Sequence, residues 1–334
     1  MNGLLKTVPG CAIALLAVCG AAAQSYKTVA TYKLPGGAAR GIAVDSDSRR
    51  VYVAEGDGVT VLNADTGAVS GTVTGLSGAD DVLLIPAMTG ETKSASTKGY
   101  ASDESGRVIA FSLADGKTVA TVKLGVSGAT SLCYDADTAT VEAVSATGEL
   151  TSIDAGTDKV LKSGKLPTGS GQVVCGNMTH VYVADTAANV VHVLNHETMR
   201  NDGDYPMKTG KGPTGLALDT KGRRLFVSCE DGTIEVVDTD AGFTFIELKG
   251  GRGESRETFV WLPQGKGQWR AAAFVAQADG TLSGVRMNAF INYSIGGEYK
   301  LSPGLRSVAY DEKTHRLYMT ATDAGSPAVV VAGY

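Results

Sequence analysis

The sequence predicts an all-β fold: a seven-bladed β-propeller of four-stranded antiparallel blades, its ring closed by the N-terminal strand. Three observations carry this. First, the chain repeats itself about seven times at a spacing of roughly 40–50 residues, with several short strands per unit. GIAVDSDSRRVYVAEGDGVTVLNADTG from Gly41 and GLALDTKGRRLFVSCEDGTIEVVDTDAG from Gly215 hold the same three apolar runs between the same kinds of turn. Second, glycine makes up 43 of 334 residues, nearly double the usual share of about 7%. With 43% of the chain hydrophobic, that excess reads as tight turns and not as disorder. Third, the two ends complement each other. Residues 26–34, YKTVATYKL, form a strand with no unit before it, and residues 328–334, AVVVAGY, form a third strand with no fourth after it. Joined, they complete one blade and leave no open edge in the ring.

Residues 1–23 read as an export signal. Lys6 and the free amine supply positive charge, CAIALLAVC from Cys11 to Cys19 is the apolar centre, and Ala21-Ala22-Ala23 before Gln24 is the cleavage site. The apolar run is too short to anchor the chain across a bilayer, and Leu16-Ala17-Val18-Cys19 leaves lipid attachment at Cys19 as the alternative. The expected destination is the periplasm or the outside. Residues 24–334 then form one propeller domain.

First strands are expected at Ile42-Ala43-Val44, Val82-Leu83-Leu84, Leu132-Cys133-Tyr134, Val173-Val174-Cys175, Leu216-Ala217-Leu218, Phe259-Val260-Trp261 and Val308-Ala309-Tyr310. Asp45, Asp135, Asp219 and Asp311 follow four of them, where a carboxylate accepts backbone N–H bonds and closes an Asx-type turn. Second strands follow, among them Val51-Tyr52-Val53, Val141-Glu142-Ala143-Val144 and Val181-Tyr182-Val183, with Tyr100 and Phe274 marking the same place in two irregular units. Their β-branched and aromatic bias suits a pleated, half-buried surface. Third strands such as Val59-Thr60-Val61-Leu62 come after hairpin turns of the Gly56-Asp57-Gly58 kind. Residues 86–99, PAMTGETKSASTKG, are expected as a polar, flexible excursion from the second unit.

These units resemble the YVTN β-propeller repeat family. GRRLFVSCEDGTIEVVDTDAG, SRRVYVAEGDGVTVLNADTG and HVYVADTAANVVHVLN match its pattern of a V-Y-V-x-N-like strand, a turn and a V-x-V-[IL]-D strand. The literal Asn of the motif is absent, with Glu55, Asp185 and Cys229 at its place. The resemblance implies an exported seven-bladed binding protein, and the motif carries no catalytic residue.

Composition narrows the function. A net charge of −5 argues against nucleic acid as a partner. After the signal, three cysteines remain, Cys133, Cys175 and Cys229, with no C-x-x-C spacing. They are expected as small buried hydrophobes, with a Cys133–Cys175 bridge between neighbouring blades as the alternative. His192 and His196 lie in or after a strand, where a spacing of four does not bring them together as on a helix, so they are expected at the surface or strand ends. No G-x-S-x-G occurs, and GKGPTG at residues 210–215 lacks the phosphate-loop pattern. Trp261 is expected to fill the core of the sixth unit.

A propeller's natural site is the mouth of its central channel. Aligned units put Arg40, Asp80, Thr130, Gly171, Thr214, Glu257 and Arg306 there, with two cations flanked by two carboxylates on one side and small neutral residues on the other. As a site, this would hold a ligand bearing a carboxylate or phosphate between two guanidiniums. The competing expectation is that Arg40–Asp80 and Arg306–Glu257 neutralise each other at a wet rim. The mouth face should be acidic and the opposite face basic. Calcium is the one cofactor considered, from the acidic turns. The functional expectation is therefore a monomeric, non-enzymatic binding scaffold for a protein or small anionic ligand. A lactonase-like, metal-dependent hydrolase and a cell-surface adhesion role are the alternatives.

Overall fold

A computed structural model describes residues 25–89, 92–128, 130–166, 171–176, 180–265, 268–289 and 292–334. The expected export signal and Cys19 lie outside the described residues, and so does the Trp269 side chain.

Every described element is a strand, and the strands form seven four-stranded antiparallel sheets. Six sheets are built from strands consecutive in sequence. The seventh takes Val308–Asp311, Arg316–Asp323 and Ser326–Gly333 from the C-terminus and adds Lys27–Lys33 at its outer edge. The ring is thus closed by the N-terminal strand, as the two ends predict.

The first strands are innermost and touch the first strands of neighbouring blades. Fourth strands such as Val69–Thr74 and Lys159–Lys165 are exposed at the rim. Blades are sealed by one bulky side chain each, in the middle of the second strand: Tyr52, Tyr100, Tyr182, Phe226, Phe274 and Tyr318 are all at most 3% exposed. Each packs against the following blade, and burying an aromatic of this size contributes roughly 2–3 kcal/mol.

Blade 3 breaks the pattern, because Glu142 occupies the aromatic place. Burial pushes its carboxyl above the ordinary range, against hydrogen bonds from Ser152 and Thr140. His196 of blade 4 stands 3.7 Å away. This polar seam is the one that Cys133 and Cys175 cross as a disulfide, with Cα atoms 5.5 Å apart. The expectation of unpaired cysteines is therefore corrected. Cys133 pairs in register with Glu142 and packs with Cys175 against the apolar cluster of Val144, Leu150, Val181 and Leu194, so the covalent link sits where the large aromatic of the other blades is missing. Replacing both cysteines by alanine should destabilise the fold by about 4 kcal/mol, the value for a closed loop of this span, measurable as a lower denaturant midpoint than wild type. Cys229 stays free and buried, and burial pushes its thiol up.

The turns follow the expected chemistry. Asp45 Oδ1 accepts the N–H groups of Asp47 and Ser48, and Asp219 Oδ1 those of Lys221 and Gly222. Residue 86–99 is corrected from a polar excursion to a long hairpin, Ala79–Thr89 with Thr92–Asp103. Blade 6 carries a second one, Ser255–Gly265 with Gln268–Gln277. The expected basic face is also corrected, because its cations bring their own counter-charges. Arg49 bridges Asp65 and Asp311, Arg223 meets Asp240, Arg224 meets Asp238 and Lys313 meets Asp47.

Candidate functional site at the channel mouth

Pairing between first and second strands sets which residues share a level. Ile42, Val82, Leu132, Val173, Leu216 and Val308 occupy one buried level. In blade 6 the residue at that level is Glu257, opposite Val275. The apolar run Phe259-Val260-Trp261 therefore sits two residues lower than the sequence suggests. Ser255, not Glu257, stands at the mouth, and Trp261 falls past the end of the inner core on the opposite face. Its expected role as core filler is corrected on the same ground.

The mouth encloses a cavity of about 270 Å³ lined by Asp80, Gly171, Thr214 and Arg306 among others. Arg40 and Thr130 hold the site from behind. Arg40 Nη1 is 3.1 Å from Asp80 Oδ1 and Nη2 is 2.5 Å from Glu104, while the Thr130 N–H donates to Asp80 Oδ2 at 2.8 Å. Arg306 pairs with Glu254 at 2.9 Å, so the expected Arg306–Glu257 pair is corrected. That pair separates the mouth from an adjoining cleft of about 470 Å³ beside Gly304, Thr322 and Pro327.

The floor of the cavity is a contact that the sequence did not suggest. One residue above the buried apolar level, the blades present Gly41, Asp81, Ser131, Gln172, Gly215, Arg256 and Ser307. Arg256 of blade 6 reaches across the channel to Asp81 of blade 2, Nη1 to Oδ2 at 2.9 Å. The same oxygen accepts the Leu132 N–H at 3.0 Å and the Ser131 hydroxyl at 3.3 Å, and Oδ1 accepts the Val82 N–H at 2.9 Å. Burial works to lower the Arg256 guanidinium, but the charges of Asp81 and Asp80 outweigh it and raise its pKa. A pair this enclosed is worth keeping whole, since removing one partner strands the other charge. Gly41 is glycine because a Cβ there would lie 2.7 Å from Asp81 Oδ1.

Gln172 spans three blades. Its Oε1 accepts the N–H groups of Leu216 and Glu257, and its Nε2 donates to the Glu257 carbonyl. Ser255 Oγ lies 3.0 Å from Thr214 Oγ1 and 2.6 Å from Ser228 Oγ. The cavity thus has one side rich in charge, Arg256, Arg306, Asp80 and Glu254, and another of Gly171, Thr186, Thr214 and Ala146 with a single carboxylate, Glu230.

Comparison with known proteins bears on the fold. A chain in a crystal structure of the mitotic checkpoint complex superposes with a TM-score of 0.74 at 12% identity, covering 100% of this chain and 99% of that one. At that identity the likeness shows the β-propeller and nothing finer. No protein-family model and no curated protein matches the sequence.

The histidines also depart from expectation. His192 is 2% exposed, not at the surface. Its Nε2 is 3.1 Å from Asp185 and its Nδ1 2.7 Å from Asp204. Desolvation opposes the charge on Asp204, yet Asn201 and His192 hold its carboxyl below the ordinary range. His196 is likewise buried. Neither lines the mouth cavity.

Proposed function

We propose that this chain is an exported, non-enzymatic binding propeller of the YVTN type, and that its ligand sits in the channel mouth. The observation that carries the reading is the mouth cavity with the Arg256–Asp81 pair as its floor. A charged pair spanning the channel gives the cavity a floor on which a ligand can rest. The ligand that fits is small and polar, with one anionic group. Two arginines on one wall offer that group planar, multi-donor recognition, and hydroxyls with small residues accept the rest. Binding is favoured over hydrolysis because two of the three mouth carboxylates hold guanidiniums, Asp80 that of Arg40 and Glu254 that of Arg306, the third being Glu230. Export is supported by Lys6, the apolar run of residues 11–19 and Ala21-Ala22-Ala23, and by a disulfide, which suits an oxidising compartment.

The test is a thermal-shift screen of small carboxylates, phosphates and sugar acids against wild type and Arg306→Gln. A double variant, Arg256→Gln with Asp81→Asn, removes the floor pair without leaving a stranded charge. Anionic compounds should raise the wild-type midpoint, with affinity weakened about tenfold in Arg306→Gln, the cost of one charge-assisted contact. Equal shifts in all three proteins would move the ligand elsewhere.

A further inference from the structure

The lining of the mouth cavity carries three carboxylates, Asp80, Glu230 and Glu254, against two guanidiniums, Arg256 and Arg306. Four of these five charges have a partner. Arg40 takes Asp80 at 3.1 Å, Arg306 takes Glu254 at 2.9 Å, and Arg256 takes Asp81 at 2.9 Å. Glu230 is the remainder: among the described residues its carboxylate meets no cation and accepts no hydrogen bond. Its place is nonetheless fixed. The Glu230 N–H donates to the Gly212 carbonyl at 2.8 Å, and the Glu230 carbonyl accepts the Gly253 N–H at 2.9 Å. The side chain lies over Gly212, where an added Cβ would be 2.9 Å from Glu230 Oε2.

We propose that the mouth ligand is a zwitterion, a small amino acid whose ammonium group meets Glu230 while its carboxylate meets the arginines; this rests on the mouth being the binding site. Charge balance favours it. A plain anion would enter a cavity whose lining already holds one carboxylate more than it holds guanidiniums. There it would stand beside Glu230 as a second unmatched negative charge, and like charges in one small space repel. An ammonium on the same molecule cancels the charge the anion brings and gives Glu230 its partner. The arginines keep donors for the other end. Arg306 spends Nη2 on Glu254 and Arg256 spends Nη1 on Asp81, and a guanidinium has further N–H groups to offer.

The two poles come from different blades. Arg256 and Arg306 belong to blades 6 and 7, whereas Glu230 follows the second strand of blade 5 and Thr186 holds the matching place in blade 4. The Thr186 hydroxyl donates to the Pro213 carbonyl at 2.8 Å, so its lone pairs stay open to an N–H donor. An ammonium needs acceptors for its N–H groups, and Glu230 and Thr186 are such acceptors on the walls of blades 4 and 5. The cavity, about 270 Å³, lies below the roughly 300–1,000 Å³ of sites for drug-sized ligands, which suits a free amino acid and not a peptide.

The test is calorimetric titration of the full chain at neutral pH with matched sets of compounds: glycine, acetate and methylamine; β-alanine, propionate and ethylamine; 4-aminobutanoate, butanoate and propylamine. The sets differ in the spacing between the two charges. In at least one set the amino acid should bind about fivefold tighter than either the carboxylate or the amine, the contribution expected of one exposed charge pair. Glu230→Gln should keep the melting temperature, since the carboxylate bonds nothing, and should erase the advantage over the carboxylate while leaving the carboxylate's own binding in place. Arg306→Gln should weaken amino acid and carboxylate alike. A carboxylate that binds as tightly as its amino acid, or an advantage that survives Glu230→Gln, would overturn the zwitterion and leave the anion site standing. An amine that binds as tightly as the amino acid would overturn both. No binding in any set would overturn the zwitterion, and the phosphates and sugar acids of the mouth screen then decide the anion site.

Discussion

A chain lacking residues 25–34 should lose its cooperative melting transition or melt more than about 10 °C lower than the full chain. The reason is the number of blades this one strand ties together. Lys27–Lys33 pairs along Ser326–Gly333 from Lys27 opposite Gly333 to Lys33 opposite Ala328, and the Leu34 N–H reaches the Pro327 carbonyl at 3.1 Å. Tyr26, 3% exposed, packs edge-on against Phe274 of blade 6 and against Tyr299 and Tyr334. Tyr32 donates its hydroxyl to the Ala64 carbonyl of blade 1 at 3.0 Å. One strand thus joins blades 6, 7 and 1. Burying two tyrosines and Leu34 contributes about 2 kcal/mol each, and a domain of this size melts roughly 2–4 °C lower per kcal/mol lost. Deletion would also leave Ser326–Gly333 as a bare apolar edge, open to pairing between chains. Calorimetry of the truncated protein decides the matter; a melting temperature within a few degrees of the full chain would show the ring closes without the strand.

Replacing Glu257 by valine should stabilise the protein, and by more at high pH than at low. Glu257 is 4% exposed at the level where the other blades carry Ile, Val or Leu. Neither carboxylate oxygen completes a hydrogen bond. Desolvation raises its pKa to about 8, and the nearby hydroxyl and amide of Ser228 offset this only in part. The folded protein therefore keeps a proton up to about pH 8 that the unfolded chain gives up near the ordinary glutamate value of about 4.3. In that interval the folded state binds more protons, so stability falls as pH rises and levels off above the folded pKa. At about 1.4 kcal/mol per unit, the loss between pH 4 and pH 9 is on the order of 5 kcal/mol. Glu257→Val removes the titrating group, so its gain over wild type should be small near pH 4 and reach roughly 10–20 °C near pH 9. Melting curves of both proteins at the two pH values test this; equal gains at both would mean the carboxyl titrates normally. Gly215 limits the choice of larger residues nearby, since a Cβ there would already lie 3.1 Å from Glu257 Cγ.

Most of the mouth was legible in the sequence because five of the seven blades keep a compact turn after the first strand. Counting from Ile42, Leu132, Val173, Leu216 and Val308 lands on the right residues, and Asp80 follows from Val82. Blade 6 misleads because its first strand begins with the polar stretch Ser255-Arg256-Glu257-Thr258, so apolar content points two residues too low. The usable signal was Phe274. Pairing back from it through the long hairpin would have placed Glu257 in the core and Arg256 in the channel. The disulfide was hidden in a similar way. Cys133 and Cys175 are 42 residues apart, and only the missing aromatic at Glu142 hints that this seam needs another link.

By itself the sequence determined the fold, the blade count and the closure of the ring. Those depend on local strand periodicity, turn chemistry and unmatched end strands, all of which are written along the chain. Tertiary structure alone decided that Arg256 crosses the channel to Asp81, that Arg306 takes Glu254, that Glu257 is buried and that Trp261 stands past the inner core on the far face. Each of these depends on the register between strands and on which side chains meet across the ring. A shift of two residues keeps a side chain on the same face of its strand, so the alternating pattern reads the same, yet it carries a carboxylate from water into the core.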